Sequence, residues 1–118
     1  MDSEELKRRT KDFAYRCIKL STVLPKTTLA RHVKGQLIRS STSVAANYRA
    51  VCIAQSKASF VAKISIVIEE ADESAFWLEL IIDEKIVKAD LVEPLLNEAN
   101  ELTSIFISSR KTAQKNNQ

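Results

Sequence analysis

At 118 residues the chain can bury one hydrophobic core but not two, so a single domain is expected over 1–118, with its packed part over about residues 3–110. One glycine (Gly35) and two prolines (Pro25, Pro94) are too few for the turns of a small β protein, and abundant Ala, Leu, Ile, Glu and Lys point to an all-α fold. The net charge of +3 hides an asymmetry: residues 1–63 carry 13 Lys/Arg against 4 Asp/Glu, a net of +9, whereas residues 64–118 carry 5 against 11, a net of −6.

The first helix is expected from about Ser3 to Val23, with Ser3 as its cap, Glu4 and Glu5 at its positive end, and Leu6, Phe13, Cys17, Leu20 and Leu24 as its apolar stripe. Leu24-Pro25 stops it, because the residue before proline is pushed away from helical angles. Thr27 or Thr28 then caps a second helix that runs to about Ala54 and carries Leu29, Val33, Leu37, Val44, Tyr48 and Val51 on one face. Gly35 inside it costs about 1 kcal/mol against alanine, which a close backbone approach would explain.

Beside that apolar face lies a second stripe of Gln36, Ser40, Ser43 and Asn47. Such groups need partners once a neighbouring helix covers them, and Glu70 and Ser74 on the third helix could supply them. Arg39 and Arg49 are candidates to pair with Glu69 or Glu73, within the chain or across a subunit boundary. The structural polar network is therefore expected to comprise Gln36, Arg39, Ser40, Ser43, Asn47, Glu70, Glu73 and Ser74, and to fix helix register. On that reading Asn47→Leu should disturb helicity and assembly.

Ser56 caps the third helix, whose seam is Phe60, Ile64, Ile68, Ala71, Ala75, Leu78 and Ile82. Ala62, Ile66, Phe76, Trp77 and Leu80 form a second apolar patch on its opposite side. No helix of a four-helix bundle is central, so this patch suggests an oligomer interface anchored by Phe76 and Trp77. Asp90-Leu-Val-Glu93 reads as a capping box for the fourth helix, with Leu91, Leu95, Ala99, Leu102 and Phe106 as its stripe and a polar, frayed tail from Arg110. Four helices with short connections give an up-down-up-down antiparallel four-helix bundle.

Little in the chain carries chemistry. A ferritin-like metal site needs two Glu-x-x-His pairs, and His32 is the one histidine. Glu69, Glu70, Asp72 and Glu73 point around their helix rather than at one ion, and Cys17 and Cys52 lack zinc-ligand spacing. Ser40, Ser41 and Ser43 lie mid-helix without an oxyanion-forming turn, and one glycine cannot build a phosphate loop. No catalytic, metal or cofactor site and no small-molecule substrate is therefore expected. Two cysteines do not make a secreted disulfide scaffold, and no signal segment or membrane span is legible, so reduced thiols and a cytoplasmic location are expected. Lys7, Arg8, Lys11, Arg16, Lys19, Arg31, Lys34 and Arg49 on the first two helices are candidates for phosphate contact, with Tyr15 the one aromatic among them. A solvated basic face, or charge that joins subunits, accounts for the same residues.

The runs Gln36-Leu-Ile-Arg-Ser-Ser-Thr-Ser-Val-Ala-Ala-Asn-Tyr-Arg49, Gln55-Ser-Lys-Ala-Ser-Phe-Val-Ala-Lys63 and Glu69-Glu-Ala-Asp-Glu-Ser-Ala-Phe-Trp-Leu-Glu-Leu80 resemble the bacterial four helix bundle protein family. That family includes proteins encoded by intervening sequences in large-subunit ribosomal RNA genes. It is distantly similar to the accessory variability protein of diversity-generating retroelements. The likeness spans about residues 10–108, and Ala45 and Ala50 stand where the family commonly has glycine and glutamate. It implies a ring-forming homo-oligomer, commonly a homopentamer, associated without catalysis with RNA, DNA or a nucleic-acid-processing protein. The alternative is a protein–protein scaffold whose opposed charges serve assembly alone.

Overall fold

A computed structural model of the chain describes residues 1–116. Helix α1 spans Ser3–Ser21, α2 Thr28–Cys52, α3 Lys57–Asp83 and α4 Glu93–Lys115, with a single 3-10 turn at Ala89–Leu91. The short connections force neighbouring helices antiparallel, giving a rod of 51 × 21 × 18 Å. Helices α2 and α3 share the longest seam, α1 lies along α2, and α4 lies along α3, while α1 and α4 meet over a narrower strip. Among the described residues no strand forms.

Three of the helix starts follow from side-chain caps. Asp2, rather than Ser3, caps α1: its carboxylate accepts the Glu5 N–H at 2.8 Å, and its charge suits the positive helix end. Thr27 caps α2 by accepting the Ala30 N–H at 3.1 Å, and Ser56 caps α3 by accepting the Ser59 N–H at 3.0 Å. The expected capping box at Asp90 and Glu93 does not form. Pro94 tolerates only the first turn of a helix, so α4 begins at Glu93 and Ala89–Leu91 becomes a separate turn. This shifts the phase: Val92 is fully buried, and Leu91, expected in the core, is exposed.

The other boundaries move by a turn or less. Helix α1 ends at Ser21, and the N–H groups of Thr22, Val23 and Leu24 bond carbonyls three residues back, tightening the chain toward Pro25. Helix α2 ends at Cys52 rather than near Ala54. The polar segment from Arg110 stays helical to Lys115, so the expected fraying does not begin there; residues 117–118 lie outside the described residues. At the end of α3, Lys85 takes φ 52°, and the Lys85 and Ile86 N–H groups bond the Ile82 and Ile81 carbonyls. This two-bond closure is normally built on glycine.

Phe13, Val33, Leu37, Val44, Ile64, Leu78, Ile81, Leu102 and Phe106 are fully buried between the helices. Leu29 is exposed instead, because it lies on the Asn47 flank of α2, and Ala30 takes the inward position. On α3 the seam runs through Val67, Ser74 and Ile81, with Phe60 and Ile82 half-buried at its edge. Cys17 is buried and its thiol is pushed up to about 12 by burial, while Cys52 is half-buried; both are free.

Gly35 has no neighbour within 4 Å of the position a Cβ would take, so no close backbone approach accounts for it. Gly35→Ala is therefore expected to stabilise the protein by about 1 kcal/mol. Thermal melting checks this; an unchanged or lower Tm would show that the backbone is needed bare.

Candidate nucleic-acid interface

Helical periodicity places Lys7, Arg8, Lys11 and Tyr15 on one face of α1, and Thr42, Ala45, Ala46 and Arg49 on the adjoining face of α2. Because the two helices run antiparallel, Arg49 returns to the end of α1 that carries Lys7 and Arg8. The small side chains at Ala14, Ala45 and Ala46 leave a groove of about 610 Å³, with cations along both rims. Tyr15 is 59% exposed within it, and Lys11 Nζ lies 5.7 Å from its ring centroid. Glu4 lines the same groove and binds Lys7 at 3.2 Å. Among the described residues no carboxylate lies within ion-pairing distance of Arg8, Lys11 or Arg49.

The eight candidate cations do not form one surface. Lys7, Arg8, Lys11 and Arg49 share the α1/α2 groove. Arg31 and Lys34 lie on the same stripe of α2 but nearer its start, Lys34 being about 22 Å from Arg49 at 1.5 Å per residue. Arg16 and Lys19 turn the other way, into a groove between α1 and α4 lined by Leu20, Val23, Asp90, Leu91, Pro94 and Leu95. Arg16 there approaches Asp12 at 3.8 Å. Arg16 points about 140° around α1 from Lys11, whereas Lys19 points almost as Arg8 does but lies about 16 Å farther along the helix, beside the start of α4.

Residues 3–108 match the family model of the 23S rRNA-intervening sequence protein. The chain belongs to that family. It is also similar, at 32% identity and a TM-score of 0.85, to a crystal structure described as a protein with unknown function from the S23 ribosomal protein family of Bacteroides thetaiotaomicron VPI-5482. That likeness covers 94% of this chain and 99% of the other. No curated protein sequence matches the chain.

Within the bundle the acidic half answers two particular cations of the basic half. Arg9 on α1 donates two hydrogen bonds of 2.8 Å to Glu98 on α4 and lies 2.7 Å from Glu101. Arg39 on α2 reaches Glu70 at 3.1 Å and also binds Glu73, both on α3. Gln36 accepts from Arg39 at 3.4 Å, and the Trp77 indole N–H donates to Glu73 at 3.1 Å. The buried Ser74 hydroxyl lies 2.9 Å from Ser40 Oγ and donates to the Glu70 carbonyl at 2.9 Å. Sliding α2 by one turn against α3, about 5.4 Å, would break the contacts of Arg39 with Glu70 and Glu73 and of Ser40 with Ser74 together.

Other members of the expected network behave differently. Among the described residues Asn47 donates only to Ser43, at 2.7 and 2.9 Å on the same helix, and has no cross-helix partner, so Asn47→Leu loses its expected effect on register. Arg49 belongs to the groove rather than the network, and Glu69 is exposed without an ion pair among the described residues. Sequence reasoning missed Arg9 and Glu98, whose separation of 89 residues leaves no periodic trace. It also missed the groove floor, although the small residues Ala45 and Ala46 between Thr42 and Arg49 were a legible signal.

The indole and guanidinium bonds hold the Glu73 carboxyl below the usual glutamate range, with Trp77 the larger cause. The stability from this depressed value is present above the unfolded glutamate pKa and is lost as pH falls through the folded one. Trp77 is the one tryptophan, so its fluorescence reports the step. In a His32→Gln background, which removes the imidazole 5.5 Å from the indole, the fluorescence midpoint is expected below the ordinary value of about 4.3. Glu73→Gln should abolish the step while helicity stays constant; a midpoint at or above the ordinary value would refute the arrangement.

The expected interface patch on α3 is less uniform than its sequence suggests. Ile66 and Phe76 are exposed at 43% and 54%, and Ala62 lies on the same outer stripe. Trp77 is half-buried against His32 and Phe76, and Leu80 packs against the core. Glu69 and Glu73 fall between Ile66 and Phe76 on that stripe, splitting the apolar surface. Among the described residues, no three His, Cys, Asp or Glu side chains gather as a metal-binding group, and no helix is long and apolar enough to cross a membrane.

Proposed function

We propose that this protein is a non-catalytic, ring-forming helical bundle that binds RNA or DNA without sequence preference through its α1/α2 groove. The observation that carries this reading is the imbalance of pairing. The acidic half engages Arg9 and Arg39 within the bundle, while Arg8, Lys11 and Arg49 stay together on an open groove without a carboxylate partner among the described residues. Cations so gathered favour a polyanion, and a single exposed tyrosine with no rigid array of base-reading side chains favours backbone contact over sequence reading. Ring assembly rests on the family likeness and on the exposed Ile66 and Phe76 of α3. A cytoplasmic nucleic acid, or a protein that processes one, is the natural partner on this reading.

Binding to several unrelated RNAs across a salt series tests it. Affinity is expected to fall log-linearly with salt, by about 0.7 to 0.9 per phosphate contacted, and to vary little with sequence. No binding at low salt, together with an oligomer whose size depends on salt, would favour the scaffold alternative.

A further inference from the structure

The α1/α2 groove is concave as well as basic. Its floor is Ala14, Ala45 and Ala46, and its exposed aromatic face is Tyr15, set among the cations of the rim. A duplex keeps its bases stacked and paired, so it could touch only the rim cations of such a concave site. A single strand can turn one base into the groove, where the tyrosine ring offers a stacking surface that every base can use. The Lys11 ammonium above the ring then lies beside the phosphate of the stacked nucleotide.

We propose that the α1/α2 groove takes single-stranded nucleic acid, with one base stacked on Tyr15 and the adjoining phosphates held by Lys7, Arg8, Lys11 and Arg49. This rests on the nucleic-acid reading above and adds the strand state of the ligand and the role of Tyr15. Arg31 and Lys34, farther along α2, extend the phosphate track for a longer strand.

The test is fluorescence anisotropy of the full chain with a labelled oligouridine 12-mer, the matching oligothymidine, and a duplex of the same length, all at one low salt concentration. The single strands are expected to bind at least about tenfold tighter than the duplex. Tyr15→Ala should weaken single-strand binding about tenfold and change duplex binding less than twofold, whereas Tyr15→Phe should bind as the natural chain does. The exposed position of Tyr15 means that neither variant should alter thermal melting. The uridine and thymidine arms identify which sugar the groove prefers. Equal binding of strand and duplex, or a Tyr15→Ala variant that binds single strands normally, would overturn the stacking site while leaving the basic groove standing. Binding of no nucleic acid at all would overturn both readings.

Discussion

Phe106→Ala is expected to remove about 3–5 kcal/mol of folding stability, a large share of what a domain of this size has. Phe106 is fully buried on α4, and its ring centroid lies 5.3 Å from that of Tyr48 on α2. The two rings fill the space between non-adjacent helices, where α1 gives little cover because it meets α4 over only a narrow strip. Truncation would leave a cavity that the rods cannot collapse around without losing their packing against α3. Phe106→Leu, which keeps most of the volume, should cost less than half as much. Chemical denaturation of the two variants measures the difference. A loss below about 1 kcal/mol for the alanine variant would show that α4 is not held through this contact.

Removing the rim cations together, as Arg8→Ala, Lys11→Ala and Arg49→Ala, is expected to lower single-strand affinity at least about tenfold and to reduce the slope of log affinity against log salt by about 2. These side chains are exposed and make no ion pair among the described residues, so the fold should not change. The pair Arg16→Ala and Lys19→Ala, compared per charge removed, is the control, since those residues face the α1/α4 groove. Salt titrations of both variants decide the matter. An effect of the control pair equal to that of the groove triple would replace the local site with a diffuse electrostatic attraction.

The groove was only half legible in the sequence. The supply of cations was plain, but sorting them required knowing where each helix begins to turn and which neighbour it meets. Arg16 differs from Lys11 in angular phase and Lys19 from Arg8 in height along α1, and neither difference has meaning until α4 is known to lie beside them. Arg39 could be matched with Glu73 because both belong to periodic stripes on adjacent helices. Arg9 could not be matched with Glu98, since no local rule links α1 to α4.

Four helices, their turns and most of the inward residues can be read from the chain, because helix periodicity, caps and proline stops act within a few residues. The family is legible there too, the runs of α2 and α3 lying within the matched residues 3–108. Helix packing puts Leu91 in solvent and Val92 in the core, leaves Gly35 unconstrained, and brings four of eight candidate cations together around Tyr15. Those outcomes depend on the packing angles of helices distant in sequence, which no window of local residues contains.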